Sequence, residues 1–139
     1  METRGILLQK NISEIMKTLQ SDLTTPEQSK RLQELGLPVK SADCLSRPDG
    51  KEIGIYQPVT PCRIDEFIAY ANKRYGRTYY IPVWSVGRLM EIVNMCCTDD
   101  NVKDEIAIEV MFSNKNSAQL IIEMVSEYAY VMDFSKLEE

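Results

Sequence analysis

Cys62 has the sequence surroundings most favourable to covalent chemistry. It follows Thr60-Pro61, a pair typical of a helix start, and precedes Arg63. A helix N-terminus and a neighbouring cation both favour the thiolate, which is the nucleophilic form of cysteine. The chain has no histidine to act as its base. A thiol enzyme using Cys62 is therefore one hypothesis, and a passive thiol is the alternative.

A second candidate site is a run of basic and aromatic residues between positions 73 and 80. Cations hold phosphates and tyrosines stack on unpaired bases, so this run predicts contact with single-stranded nucleic acid. The residues expected to make it are Lys73, Arg74, Arg77, Tyr79 and Tyr80, with Tyr75 interleaved among them. The alternative is structural: the cations end a helix, Gly76 caps it and the tyrosines begin a strand.

The spacing of the remaining residues supports no metal-binding or phosphate-binding site. Cys44, Cys62, Cys96 and Cys97 contain no Cys-x-x-Cys pair, so we expect reduced, buried thiols and no zinc site. The acidic clusters lack the spacing of a calcium loop, and the six glycines are too scattered to cradle a phosphate. We expect no metal and no cofactor.

Composition restricts the partners. The 139 residues suit one domain, and 44% hydrophobic with 27% charged residues is typical of a soluble protein. Residues 1–90 carry 13 basic and 10 acidic side chains, whereas residues 91–139 carry 3 and 11. This acidic C-terminal third opposes extensive nucleic-acid binding and limits any such contact to a local patch. Charges throughout residues 1–23 exclude a transmembrane helix or signal peptide there, which predicts a cytoplasmic protein.

Hydrophobic periodicity predicts the elements that position these residues. An amphipathic helix over Ile6–Leu23, within residues 1–24, either packs on its own domain or forms a homodimer seam. Residues 25–133 form one α+β domain, and residues 134–139 a frayed tail. We expect about five helices covering a mainly antiparallel sheet of about four strands, one hairpin included. The expected elements are a helix over 26–35, a hairpin of 42–46 and 52–57, a helix over 61–75, a strand over 78–83, a helix capped by Ser85, a strand over 106–112 and a helix over 117–132.

Trp84 precedes the Ser85 cap and has two interpretations. As a core anchor it packs against the start of the helix. As a binding residue it lines a surface groove for a partner, together with Arg88.

Two motifs resemble small phage and mobile-element proteins of gut bacteria that have no assigned activity. The first runs from Thr25 through Pro38 (TPEQSKRLQELGLP) and continues at Ser41-Ala42-Asp43, and the second is Pro82–Glu91 (PVWSVGRLME). The resemblance spans most of residues 25–132 and implies a shared fold and an accessory role in a mobile element. It transfers no catalytic residue. The leading hypothesis is a non-enzymatic module that binds a protein partner.

Overall fold

The computed structural model describes residues 23–50, 53–55, 63–113 and 116–138. The predicted helix over 6–23 lies outside them except for Leu23, as does Cys62. The five described α-helices and three strands are α1 (Pro26–Leu35), β1 (Cys44–Ser46), β2 (Ile53–Ile55), α2 (Ile64–Tyr75), β3 (Ile81–Val83), α3 (Val86–Cys96), α4 (Asp100–Phe112) and α5 (Ser117–Glu127). Three short 3-10 helices span Val39–Ser41, Ala129–Val131 and Phe134–Glu138. The α+β class is confirmed.

The sheet is small and antiparallel, with β1 between β2 and β3. The predicted hairpin joins β1 to β2, and its turn places Gly50 at φ 74° with its N–H donating to Arg47 O at 2.8 Å. The strand predicted over 78–83 contains only Ile81–Val83. The expected fourth strand is not supported: the described residues form three.

The caps predicted for α1 and α3 are present. Thr25 Oγ1 accepts from the Gln28 N–H, and Gln28 Oε1 accepts from the Thr25 N–H, so the capping box of α1 is complete. Gly36 ends α1 at φ 114°. Ser85 Oγ accepts from the Arg88 N–H at 3.1 Å and caps α3.

The prediction of a strand over 106–112 is wrong, because these residues form the C-terminal half of α4. Asp99 begins the helix, since its Oδ1 accepts from the N–H groups of Asn101 at 2.9 Å and Val102 at 3.3 Å. Buried Val102 and Ile106 are four residues apart, which is helical spacing. The alternation of apolar residues over 106–112 therefore predicted the two-residue period of a strand where the structure has a helix.

Two helix boundaries also differ from the prediction. Helix α2 begins at Ile64 instead of Pro61, because Arg63 is extended and occupies the N-cap position, where its side chain makes no capping hydrogen bond. Helix α5 ends at Glu127 instead of Met132, and the chain continues into the 3-10 helix Ala129–Val131. Asn116 caps α5 by accepting from the Gln119 N–H at 3.0 Å.

Residues 134–138 are not frayed. Leu137 is buried in the main core, and Phe134 packs against that core. The Asp133 N–H donates to Cys96 O at 2.8 Å, and Lys40 Nζ donates to Glu138 O at 2.6 Å. These backbone contacts and one buried leucine hold a segment that has no hydrophobic period of its own.

The core lies where α1, α3 and α4 pack around α5, with α2 and the sheet beside them. Trp84, Ile106 and Ile121 are among its fully buried side chains. Buried Leu23 pairs with Ser85 and packs in a second, smaller cluster with Cys44 and Val83, and the N–H of buried Thr24 donates to Trp84 O at 3.0 Å. No helix in the described ranges is both long and apolar enough to cross a membrane.

Candidate functional site

The residues of the two sequence motifs meet in a buried hydrogen-bond network around Trp84. The indole Nε1–H donates to Ser41 Oγ at 3.0 Å, and the Trp84 N–H donates to Thr24 Oγ1 at 3.0 Å. Asp43 accepts from both the N–H (2.9 Å) and the hydroxyl (2.5 Å) of Ser85. This network joins the start of α3 to the chain around β1 and satisfies the polar atoms that it buries.

The network decides between the two interpretations of Trp84. Its side chain is 0% exposed, so it is a core anchor and lines no surface groove. Arg88 is half-buried, and its Nε donates to Ser41 O at 2.8 Å while its Nη1 lies 3.0 Å from Glu91 Oε2. Both residues proposed for the partner groove are thus engaged in holding α3.

The serine and carboxylate of this network do not form a nucleophilic site. Ser85 Oγ already donates to Asp43 and accepts from the Arg88 N–H, so its hydroxyl is committed to capping. A serine nucleophile needs a base that accepts its proton and passes it on, commonly histidine, which this chain lacks. The network is structural.

The three described thiols are buried, as predicted. Cys44, Cys96 and Cys97 are free cysteines, and burial followed by the charge of Asp43 raises the pKa of Cys44 to about 12. Burial also raises the pKa of Cys96. The reactivity proposed for Cys62 stays a prediction, but its helix-dipole argument is weakened because α2 begins at Ile64.

Tyr75, Arg77, Tyr79 and Tyr80, from the run at positions 73–80, lie close together. Tyr75 and Tyr79 are stacked with centroids 4.1 Å apart at 20°, and the Arg47 guanidinium carbon lies 3.8 Å from the Tyr79 centroid. Two groups this close to one ring cannot share a face, so Arg47 and Tyr75 cover opposite faces of Tyr79. We call Arg47, Tyr79 and Tyr75 the tyrosine column.

Three exposed cations lie within two residues of Tyr75 along the chain. Lys73 and Arg74 occupy the last turn of α2, and Arg77 follows its Gly76 cap. The Arg77 guanidinium carbon is 5.8 Å from the Tyr79 centroid. Within the described ranges, no ion pair joins a carboxylate to any of the three. The patch is therefore locally positive on an acidic protein.

A second surface lies at the C-terminal end of α4. Ile108, Met111 and Phe112 are 55%, 75% and 78% exposed and, at i, i+3 and i+4, share one helix face. Exposed carboxylates neighbour them on the helix: Asp104, Glu105 and Glu109. We call these six residues the acidic apolar face. Sequence reasoning missed this face because it placed Ile108 and Phe112 on one face of a strand together with Ile106, which is buried in the structure.

The remaining candidates offer less. An open groove of about 450 Å³ between α1 and α5 is lined by Ile122 and by polar and charged residues, among which Gln28 Nε2 donates to Gln119 Oε1 at 3.0 Å. No group of three or more metal-ligating side chains occurs in the described part of the chain.

Comparisons with protein-family models, with curated proteins and with solved structures give no match to this chain. The functional argument therefore depends on the two surfaces.

Proposed function

We propose that this chain is a non-enzymatic interaction module that binds a protein partner through the acidic apolar face of α4. The single observation that carries the proposal is the exposure of Ile108, Met111 and Phe112 side by side on one helix. Exposed large apolar residues are ordinary when scattered, but a contiguous group bordered by charge is typical of a protein contact.

The charge around this face selects the partner. Asp104 and Glu105 precede Ile108 by one turn, and Glu109 lies one turn before Phe112. Residues 91–139 carry 11 acidic and 3 basic side chains, so a second copy would bring like charges together. A basic amphipathic helix matches both the apolar residues and the carboxylates.

Two further points support a binding role. The side chains of the sequence motifs, Trp84, Ser85, Asp43 and Arg88 among them, are used in the buried network, which is the use expected of a scaffold. The resemblance to phage and mobile-element proteins favours an accessory role in such an element. Homodimerisation through residues 6–23 remains a separate prediction, outside the described residues.

A titration with a designed peptide tests the proposal. The probe is a fluorescent leucine and lysine peptide of about 14 residues patterned as an amphipathic helix. We expect it to bind, and we expect Met111→Ser/Phe112→Ser to weaken binding at least about tenfold. Tyr70→Ser is the matched control, since Tyr70 is 64% exposed on α2, and it should bind as the unmodified protein does.

A scrambled peptide of the same composition separates shape from charge. It should bind more weakly, because its leucines no longer form one face. Equal binding of the scrambled peptide, equal binding by the double variant, or no binding of the amphipathic peptide would each contradict the proposal.

A further inference from the structure

We infer that the tyrosine column, with Lys73, Arg74 and Arg77, is a binding site for single-stranded nucleic acid in which a base stacks on the open face of Tyr75. This site is separate from the acidic apolar face and does not depend on the proposed function.

The open face of Tyr75 is the first step of the argument. Tyr79 covers one face of its ring, and the side chain is still 52% exposed. A flat aromatic surface presented to solvent accepts a nucleobase by stacking, whichever base it is. Arg47 on the far side of Tyr79 supports the column with a cation–π contact.

Hydrogen bonds and ring contacts from neighbouring residues hold the tyrosine column in place. Asn72 Oδ1 accepts from the N–H groups of Tyr79 at 2.7 Å and Tyr80 at 3.1 Å. The Tyr79 and Tyr80 rings are perpendicular, with centroids 4.7 Å apart, and Tyr80 is stacked with Phe67 at 5.9 Å. Gly76 at φ 64° turns the chain so that Tyr79 returns to Tyr75. A prepared platform loses little conformational entropy when a base stacks on it.

The cations supply the phosphate contacts. The carbonyls at the C-terminus of α2 carry about half a negative charge, which Lys73 and Arg74 outweigh, and Arg77 adds a third charge beyond the helix end. The acidic residues of α2, Asp65 and Glu66, lie in its first turn and pair with Arg63. The phosphate backbone would thus pass over the C-terminal end of α2.

The shape of the site selects single strands over duplexes. In a duplex the base faces are stacked on one another, and only a strand with accessible bases can place one on Tyr75. Charge alone would accept any polyanion, so dependence on the Tyr75 ring is what distinguishes this site from a general positive patch.

Anisotropy of a fluorescein-labelled oligothymidylate of about ten nucleotides tests the inference at low salt. We expect Tyr75→Ala to weaken binding about tenfold and Tyr75→Phe to bind within about twofold of the unmodified protein, because phenylalanine keeps the stacking ring. Tyr130→Ala is the matched control, since Tyr130 is 79% exposed elsewhere, and it should not change affinity.

Salt dependence tests the cations separately. The slope of log affinity against log salt should fall in magnitude by about 0.7 for each of Arg74→Ala and Arg77→Ala, and Lys30→Ala on α1 should leave it unchanged. Oligouridylate should also bind, and a duplex of the same length should bind more weakly. No binding at low salt, full affinity in Tyr75→Ala, or equal competition by polyglutamate would overturn the inference.

Discussion

At the scale of single residues, Tyr128 makes a hydrogen bond to Glu105 of the acidic apolar face that changes its acidity. Its hydroxyl donates to Glu105 Oε2 at 2.8 Å, and this hydrogen bond raises the pKa of Tyr128 from 10.0 to about 12. The folded protein therefore holds this proton more tightly than the unfolded chain does. The resulting contribution to stability is full below pH 10 and is lost as pH rises through about 12.

Tyr128→Phe removes this contribution. We expect the urea midpoint to fall less between about pH 9 and about pH 11 in Tyr128→Phe than in the unmodified protein. Glu105→Gln should behave in the same way, because it removes the charge that retains the proton. Tyr130→Phe is the control on the same segment and should follow the unmodified protein. An identical fall in all four proteins would contradict the assignment.

Individual residues also show which parts of the candidate nucleic-acid site could be predicted from the sequence. Lys73, Arg74, Arg77 and the tyrosines could be predicted because they fall within eight successive positions, and Gly76, which turns the chain, is one of those positions. Arg47 comes from the hairpin, and no local pattern connects it to Tyr79. A stack assembled from distant segments becomes visible only after the chain has folded.

At the scale of elements, two predicted caps mark the helix starts that the structure has, whereas α2 begins at Ile64 and not at the predicted Pro61. Thr25 and Ser85 begin α1 and α3 as expected, because each cap is a specific hydrogen bond to a nearby N–H. Ile106–Phe112 is apolar at so many successive positions that it fits a period of two as well as a helix. The residue that decides between them is Asp99, whose side chain caps the start of α4.

Asp99→Ala tests that explanation. It removes the acceptor for the N–H groups of Asn101 and Val102, so we expect the free energy of unfolding to fall by about 1 kcal/mol. Asp100→Ala is the matched control: Asp100 is 95% exposed in its ion pair with Lys103, and its loss should change stability by less than about 0.5 kcal/mol. Urea unfolding of both variants gives the comparison, and equal losses would show that Asp99 is not the cap.

At the scale of the whole molecule, the C-terminal segment completes the core. Leu137 is 7% exposed and belongs to the same cluster as Trp84 and Ile121. A single buried leucine in a charged, irregular stretch has no periodicity, which is why the sequence suggested a frayed end. Its burial depends on the cavity formed by the other elements.

Leu137→Ala should therefore destabilise the protein as a core truncation does, by about 2 to 5 kcal/mol. Lys136→Ala changes the exposed neighbouring residue and should have a much smaller effect. Thermal or urea unfolding measures both. A loss in Leu137→Ala no greater than that in Lys136→Ala would mean that the segment is not part of the core.

The position of Leu137 also affects how the protein folds during synthesis. Domains usually fold from the N-terminus as the ribosome extends the chain. Here α3 is translated long before Leu137, although both belong to the same core cluster. Cys96, at the end of α3, is likewise translated long before Asp133, whose N–H donates to its carbonyl oxygen. The core of the nascent domain therefore lacks one of its buried side chains until residue 137 has left the exit tunnel.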